Sequence, residues 1–402
     1  MKDRPAKVCH IITMLELGGA QQNTLYTVTH LDRSRFEPLL IAGSEGPLVE
    51  EARGCGVRAH FVECLVRQVA PARDLAALAR LTAILRRERP AIVHTHSSKA
   101  GILGRAAAAL ARVPVRIHSI HGWPFHPGQS KPAYALYVGL ERAAAAATTA
   151  FIAVSRANLS QGTRLGILTE RNAHLIRSGI PLRAFRPAGS GAPPPPPPWE
   201  PPPPGGATVG MVACLKPQKA PEDFVRVAAR VAAREPSARF VLVGDGELRG
   251  KVETLAAERG LGRALFLAGW RRDVPDLMRS FDLLVHTSRW EGLPRVLPEA
   301  MATALPVVAT RVDGAPEAVE EGGTGYLFEP GDVEGMAGAV TELIRDPDLR
   351  RRMGSAGLAR VAEWDIDEMV RAQERLYDRL LGELARPGYT QARRGARGLR
   401  GR

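Results

Sequence analysis

The chain has 402 residues, 45% hydrophobic and 24% charged, with a formal net charge of +13. These proportions exclude a disordered or fibrous chain, and the length suffices for two domains, each with its own core. Residues 1–12 lack an apolar signal core, and no apolar run reaches the roughly 20 residues of a spanning helix. The four cysteines, Cys9, Cys55, Cys64 and Cys214, form no C-x-x-C pair, so a reduced, cytoplasmic protein without disulfides is expected.

In chain order, 7–14 reads as a strand that runs into Leu17-Gly18-Gly19-Ala20 and a helical pattern to His30. Strands follow at 39–42, 57–62 and 92–96. A helix over 74–88 carries Leu75, Leu78, Leu81, Ile84 and Leu85 on one stripe. After His94-Thr95-His96 come Ser97, Ser98, Lys99 and an Ala-rich helix to Ala111. Strands at 115–120 and 150–154 follow, the first ending at His121-Gly122. This β–turn–α alternation predicts a parallel sheet with helices on both faces. Between 187 and 206 eleven of twenty residues are proline, which suits extended polyproline and marks a linker.

The alternation then restarts. Strands are predicted at 208–213, 240–243, 265–268, 282–286, 306–310, 316–319 and 325–328, with helices at 222–234, 274–280, 297–304, 332–345 and 347–364 and one from Gly246 through Glu258. A last amphipathic helix spans 367–384. The tail beyond Ala385 holds six Arg and no acid, nearly half of the net charge, and reads as disordered. The expected domains are therefore 1–186, a linker 187–206, 207–364, the helix 365–384 and the tail 385–402.

The stretch 290–310 organises the second half. Glu291 and Glu299 are separated by seven residues, one in a loop after a strand and one in a short helix. A glycosidic bond flanked by two carboxylates needs them within roughly 5–10 Å. Two carboxylates on one elongated ligand suit this spacing better, with helix N–H groups left for an anion. A lysine at a strand end beside a helix start, such as Lys216 or Lys219, offers a point charge to a diphosphate. His94 and His96 share a strand face, where a metal pair is conceivable, but no third ligand lies nearby in sequence. Asp365-Ile366-Asp367 looks like a metal-binding D-x-D but sits at a helix start, where Asp is an ordinary cap.

The segment E-G-L-P-R-V-L-P-E-A-M-A-T-A-L-P-V-V-A-T resembles the signature of family 4 retaining glycosyltransferases, and the likeness extends from Val8 to about Leu380. It implies a GT-B fold: two Rossmann-like, doubly wound α/β domains facing a cleft. Cys214-Leu215-Lys216-Pro217-Gln218-Lys219 is similar to the family's diphosphate-neutralising segment, with Lys219 on the family Lys and Cys214 where an Arg usually stands. The resemblance implies catalytic roles for His121, Glu291 and Lys219. It places the donor against Gly19, Lys216, Gly244, Gly246, Arg271, Arg272, Leu293, Val296, Leu297 and Glu299. Glu299 would hold the ribose, Glu291 the sugar hydroxyls. Ser97 and Lys99 match the acceptor-side segment of bacterial members that build capsule, exopolysaccharide or lipopolysaccharide. Ala304 stands where the family usually has Gly, read as a packing position.

The expectation is a metal-independent hexosyltransferase with no cofactor. Its donor would be a nucleotide-diphospho-sugar, most simply a UDP-sugar, and its acceptor a glycan or polyprenyl-linked glycan. A basic tail, or failing that the surface around Lys99 and Arg105, would dock the cytoplasmic enzyme on an anionic inner-membrane face. Two alternatives share the architecture: a sugar-nucleotide 2-epimerase, which would act without acceptor, and a non-catalytic nucleotide-sugar-binding protein. No nucleic-acid partner is expected; only the Arg/Gly tail speaks for one.

Overall fold

The computed structural model of the chain describes residues 4–126, 128–186 and 196–385. It contains two parallel sheets. The first is built from β1 (Ala6–Ile12), β2 (Phe36–Ala42), β3 (Arg58–Phe61), β4 (Ile92–His96), β5 (Val115–Ile120), β6 (Ala150–Ala153) and β7 (Ala173–Leu175), in the order β3-β2-β1-β4-β5-β6-β7. The second comprises β8 (Thr208–Val212), β9 (Arg239–Val243), β10 (Leu265–Gly269), β11 (Leu283–His286), β12 (Val307–Thr310) and β13 (Gly325–Phe328), in the order β10-β9-β8-β11-β12-β13. In each sheet the order reverses beside the first strand, at β1/β4 and at β8/β11. Ligands of open α/β sheets bind outside the strand C-termini at such a switch point.

Strand composition explains the layering. Along β1 and β2, Cys9, Ile11, Leu39 and Ile41 enter one hydrophobic cluster, and Ile12, Leu40 and Ala42 enter another. Alternate side chains point to opposite faces, so a continuous apolar strand needs helices on both sides. Helices Pro71–Glu88 and Ser98–Leu110 supply the first cluster, Gly19–His30 and Val49–Gly54 the second. In the second sheet one large cluster joins Phe224 and Val231 of helix Pro221–Arg234 to Met336, Val340 and Leu343 of helix Val333–Arg345. None of the helices is long and apolar enough to cross a membrane, among the described residues.

Contacts divide the chain into one unit of Met1–Ser178 with Asp367–Arg402 and another of Gly179–Ile366. Helix Ile366–Leu384 thus belongs almost wholly to the first unit, where its Tyr377 meets Phe36 and His94. Three expectations need correction. The first unit ends at Ser178, not at 186, because helix Leu182–Phe185 packs on helix Val296–Ala302. The later part of the Pro-rich stretch is not a free tether: Trp199 is buried, with ring centroids 5.9 Å from Phe266 and 5.8 Å from Phe281. Residues 316–319 form no strand; Ala315–Ala318 is a helical turn, with Pro316 in its first turn. Residues 187–195 of the expected linker and the tail from 386 lie outside the described residues.

Candidate active site

The loops at the C-terminal ends of β8 and β11 are tied together. Thr287 Oγ1 donates to the carbonyls of Lys219 (2.9 Å) and Ala220 (3.0 Å). Arg289 N donates to Gln218 O (2.8 Å), and Gln218 Nε2 donates to Trp290 O (2.9 Å). These bonds bring Lys219 to Glu291, to which its ammonium donates. Glu291 also accepts from Ser288 Oγ (2.7 Å), and its main-chain N–H donates to Asp313 Oδ2 (2.6 Å). His286 Nε2 lies 3.3 Å from the same carboxylate oxygen.

Burial by itself would raise the Glu291 pKa. The Lys219 charge and the His286 contacts outweigh it and lower the value to about 2. Glu291 is therefore an ionised carboxylate throughout the physiological range. Glu299 has the opposite balance: burial raises its pKa, and Arg295, at 3.5 Å, only partly opposes this. The two glutamates of the motif thus sit in different electrostatic surroundings. Leu293 and Leu297 are buried between them, and Val296 is half-buried.

Gly244 and Gly246 form the turn after β9. Gly244 has φ +130°, and a Cβ there would stand 2.0 Å from Ala213 O, so only glycine fits. The turn clasps the β8 loop through Leu215 N to Asp245 O (2.9 Å) and Leu248 N to Leu215 O (3.0 Å). That places Cys214 and Lys216, both half-buried, beside the glycine turn. After β10, Arg271 forms a two-pronged pair with Asp273, Nε to Oδ1 at 2.8 Å and Nη2 to Oδ2 at 2.5 Å. Its guanidinium is thereby oriented by its own loop, next to half-exposed Trp270 and exposed Arg272. Ala304 has φ +59°, so the family glycine position is one of backbone conformation rather than of packing alone.

In the first unit Ser97 ends β4 at φ +61°. Its hydroxyl meets Thr13 Oγ1 at 2.7 Å, and Thr13 Oγ1 accepts from Ala100 N at 3.0 Å, joining the ends of β1 and β4. Gly19 opens helix Gly19–His30 behind Gly18. Lys99 Nζ donates to Asp74 Oδ1 (2.6 Å) and to Gln68 O, so its charge is shared with an acid. Arg105 is fully buried, donating to Glu141 Oε2 (2.6 Å) and to Gly101 O (2.7 Å). It is a core ion pair and no docking residue, which corrects that expectation. His121, after β5, lies with Nε2 3.1 Å from His96 Nδ1. In the D-x-D segment Asp367 Oδ1 accepts from Tyr26 O–H (2.5 Å) at the helix start.

Sequence reading gave no role to Asp313, which a loop after β12 delivers, to His286, the last residue of β11, or to Arg295, just before helix Val296–Ala302. It also missed His10, the third ring beside His94 and His96. A signal existed: parallel pairing of β1 with β4 sets His10 opposite His94.

Two family models match, "Glycosyl transferase 4-like domain" over 18–179 and "Glycosyl transferases group 1" over 200–360. A relative in Escherichia coli, UDP-Gal:alpha-D-GlcNAc-diphosphoundecaprenol alpha-1,3-galactosyltransferase, is 32% identical over 85% of this chain and 89% of its own. The chain belongs to glycosyltransferase family 4. This family 4 enzyme is also 23% identical to the Staphylococcus aureus capsular polysaccharide biosynthesis glycosyltransferase CapM, over 75% of this chain and 80% of the relative. The fold matches Anabaena HepE in complex with UDP-glucose at a TM-score of 0.77, with 21% identity over 93% of this chain and all of the other. A sucrose-phosphate synthase from Thermosynechococcus elongatus matches at 0.77 with 18% identity, over 94% and 99%. The architecture is GT-B, and the chain is a glycosyltransferase.

Proposed function

We propose that this glycosyltransferase moves a hexose from a UDP-sugar to a polyprenyl-diphosphate-linked glycan in cell-surface polysaccharide synthesis, retaining the anomeric configuration and using no metal. The observation that carries the reading is the pair of half-buried Lys219 and buried Glu291 at the C-terminal edge of the second sheet. It combines a cation suited to a leaving diphosphate with a carboxylate held ionised for sugar hydroxyls. The E. coli relative, whose name states a UDP-Gal donor and a diphosphoundecaprenol acceptor, supports the substrate classes.

In this reading Lys219 and Lys216 neutralise the diphosphate as the C–O bond breaks. Glu291 orients the sugar, Glu299 takes the ribose and His121 supports charge on the reacting sugar. Gly244, Gly246, Arg271 and Arg272 line the donor, Ser97 and Lys99 the acceptor side. No side chain is given the part of a covalent nucleophile. The acceptor hydroxyl attacks from the leaving-group face, and its proton passes to the departing diphosphate.

Donor binding tests the first half. UDP-galactose or another UDP-sugar should bind in calorimetry with EDTA present, and loss of binding on chelation contradicts the metal-free reading. The cytoplasmic, peripheral placement is part of the same proposal. Six Arg beyond Ala385 would attract an anionic leaflet by up to about 1 kcal/mol each. Full-length protein should sediment with anionic liposomes in a salt-sensitive way, and the chain cut after Ala385 should not. Equal sedimentation of both forms removes the tail from the mechanism.

A further inference from the structure

Behind His121, in the first unit, lies a run of rings that the reaction as described does not use. His96 Nδ1 is 3.1 Å from His121 Nε2, and His96 Nε2 is 3.0 Å from His10 Nδ1. His10 Nε2 lies 3.5 Å from Tyr377 Oη, on helix Ile366–Leu384. Tyr377 Oη also meets His94 Nδ1 at 2.6 Å and Gln373 Oε1 at 3.2 Å, and His94 Nε2 meets Ser119 Oγ at 2.7 Å. His10, His94, His96 and Tyr377 are at most 2% exposed.

Three imidazoles this close resemble a metal site, and their nearest nitrogens lie within 4.8 Å of one another. The bonding argues otherwise. Both nitrogens of His94 and both of His96 already face hydrogen-bond partners, and no carboxylate belongs to the group to offset a divalent charge in the interior. Burial keeps the rings neutral; it lowers the His10 pKa to about 3 and those of His94 and His96 well below the ordinary histidine value. Each neutral ring has one N–H and one lone pair. A string of neutral rings can therefore be polarised in only two ways, with every proton on one side or every proton on the other.

Tyr377 decides between them. Its single proton goes to one of its two nearer partners, His94 Nδ1 or Gln373 Oε1, and leaves an oxygen lone pair toward His10. His10 then carries its proton on Nε2 and accepts at Nδ1 from His96 Nε2–H. His96 in turn accepts at Nδ1 from His121 Nε2–H. A small cavity of about 10 Å³, the room of one water molecule, borders the string between Asn23, His96, Ser119, His121, Ser178 and Gln373. The Asn23 amide, 2% exposed, faces no protein partner at either polar atom among the described residues.

We propose that His96, backed by His10 and Tyr377, is a positioning residue that fixes His121 as the Nε2–H tautomer and holds its ring in place. The inference rests on the role given to His121 above. The physical reason for such a device is that a histidine serves a reacting group only with the correct nitrogen protonated, and its other nitrogen's partner sets that choice. Anchoring the string on the C-terminal helix makes the tautomer a property of the whole unit rather than of the His121 loop.

The test reads the tautomer directly, by 15N NMR of histidine-labelled full-length protein, alongside steady-state kinetics with a UDP-sugar. Wild type should show His121 as Nε2–H. His96→Leu should mix in the Nδ1–H form and lower kcat by about 10–100-fold, the scale of a misplaced catalytic group, with the donor KM unchanged. His96→Asn, whose side-chain oxygen can accept where Nδ1 did, should restore most of both. Tyr377→Phe, an isosteric change distant from His121, should also mix in the Nδ1–H form, and it stands in should His96→Leu not fold. A wild-type His121 in the Nδ1–H form, or an unmixed tautomer in both variants, overturns the inference. The two readings fail separately. Full activity in His121→Ala removes the role of His121 yet leaves the tautomer result standing; an unmixed tautomer removes the positioning role of His96 and leaves that of His121.

Discussion

Lys219 and Glu291 satisfy each other where the β8 and β11 loops meet, and removing the lysine leaves the buried Glu291 carboxylate without that partner, which is costly. In the proposed reading a donor that arrives with a diphosphate and hydroxyls offers each of them a new partner. Lys219→Ala should lower kcat by about 100-fold or more, the scale of losing one preorganised charge-stabilising donor. The two glutamates should separate in kinetics. Glu299→Gln should mainly raise the donor KM, because ribose contacts are the same in ground and transition states. Glu291→Gln should mainly lower kcat, because its contacts strengthen as the sugar gains charge. Steady-state kinetics on both variants would expose the reverse pattern, which contradicts the assigned roles.

Helix Val296–Ala302 is seven residues long and cannot stand on propensity; packing and the backbone around it hold it in place. Its C-terminal end turns at Ala304, and helix Pro347–Arg360 crosses that turn at Gly354. A Cβ on Gly354 would lie 2.0 Å from Ala304 O, a backbone atom. Helix propensity favours Gly354→Ala by about 1 kcal/mol, whereas overpacking costs about 1–3 kcal/mol. With backbone on both sides the steric cost should win, and the urea midpoint should fall. A midpoint equal to or above wild type would show that the helix can shift away. The same element shows what sequence could reveal. Glu291, Pro298 and the β-branched run at 307–310 announced loop, helix and strand in order. Pro316, in contrast, ends up in a helical turn where a strand over 316–319 was expected. Trp199 was hidden in a proline run, because what packs it is Phe266 and Phe281 far along the chain. His10 was legible only once β1 and β4 were paired, since a ring 84 residues from His94 has no local signal.

At the scale of the whole chain, two sheets repeat one plan: a central strand, a reversal of strand order, and chemistry-bearing residues at the strand C-termini. In the first this puts His96, Ser97 and His121 at the ends of β4 and β5; in the second it puts Lys219 and Glu291 after β8 and β11. The parallel alternation was legible where a strand is a short apolar run, as in β8, β9 and β12; β7, only Ala-His-Leu, gave no such signal. The return of the last helix to the first unit depends on Tyr377 and Asp367 finding partners more than 280 residues away. The most direct measurement is the stereochemistry of one turnover. With the UDP-hexose it turns over, a polyprenyl-diphosphate-linked glycan acceptor and EDTA, the product should carry the hexose as the α anomer, as in the donor, by proton NMR. A β-linked product, or no transfer until a divalent metal is added, would contradict a retaining, metal-independent enzyme.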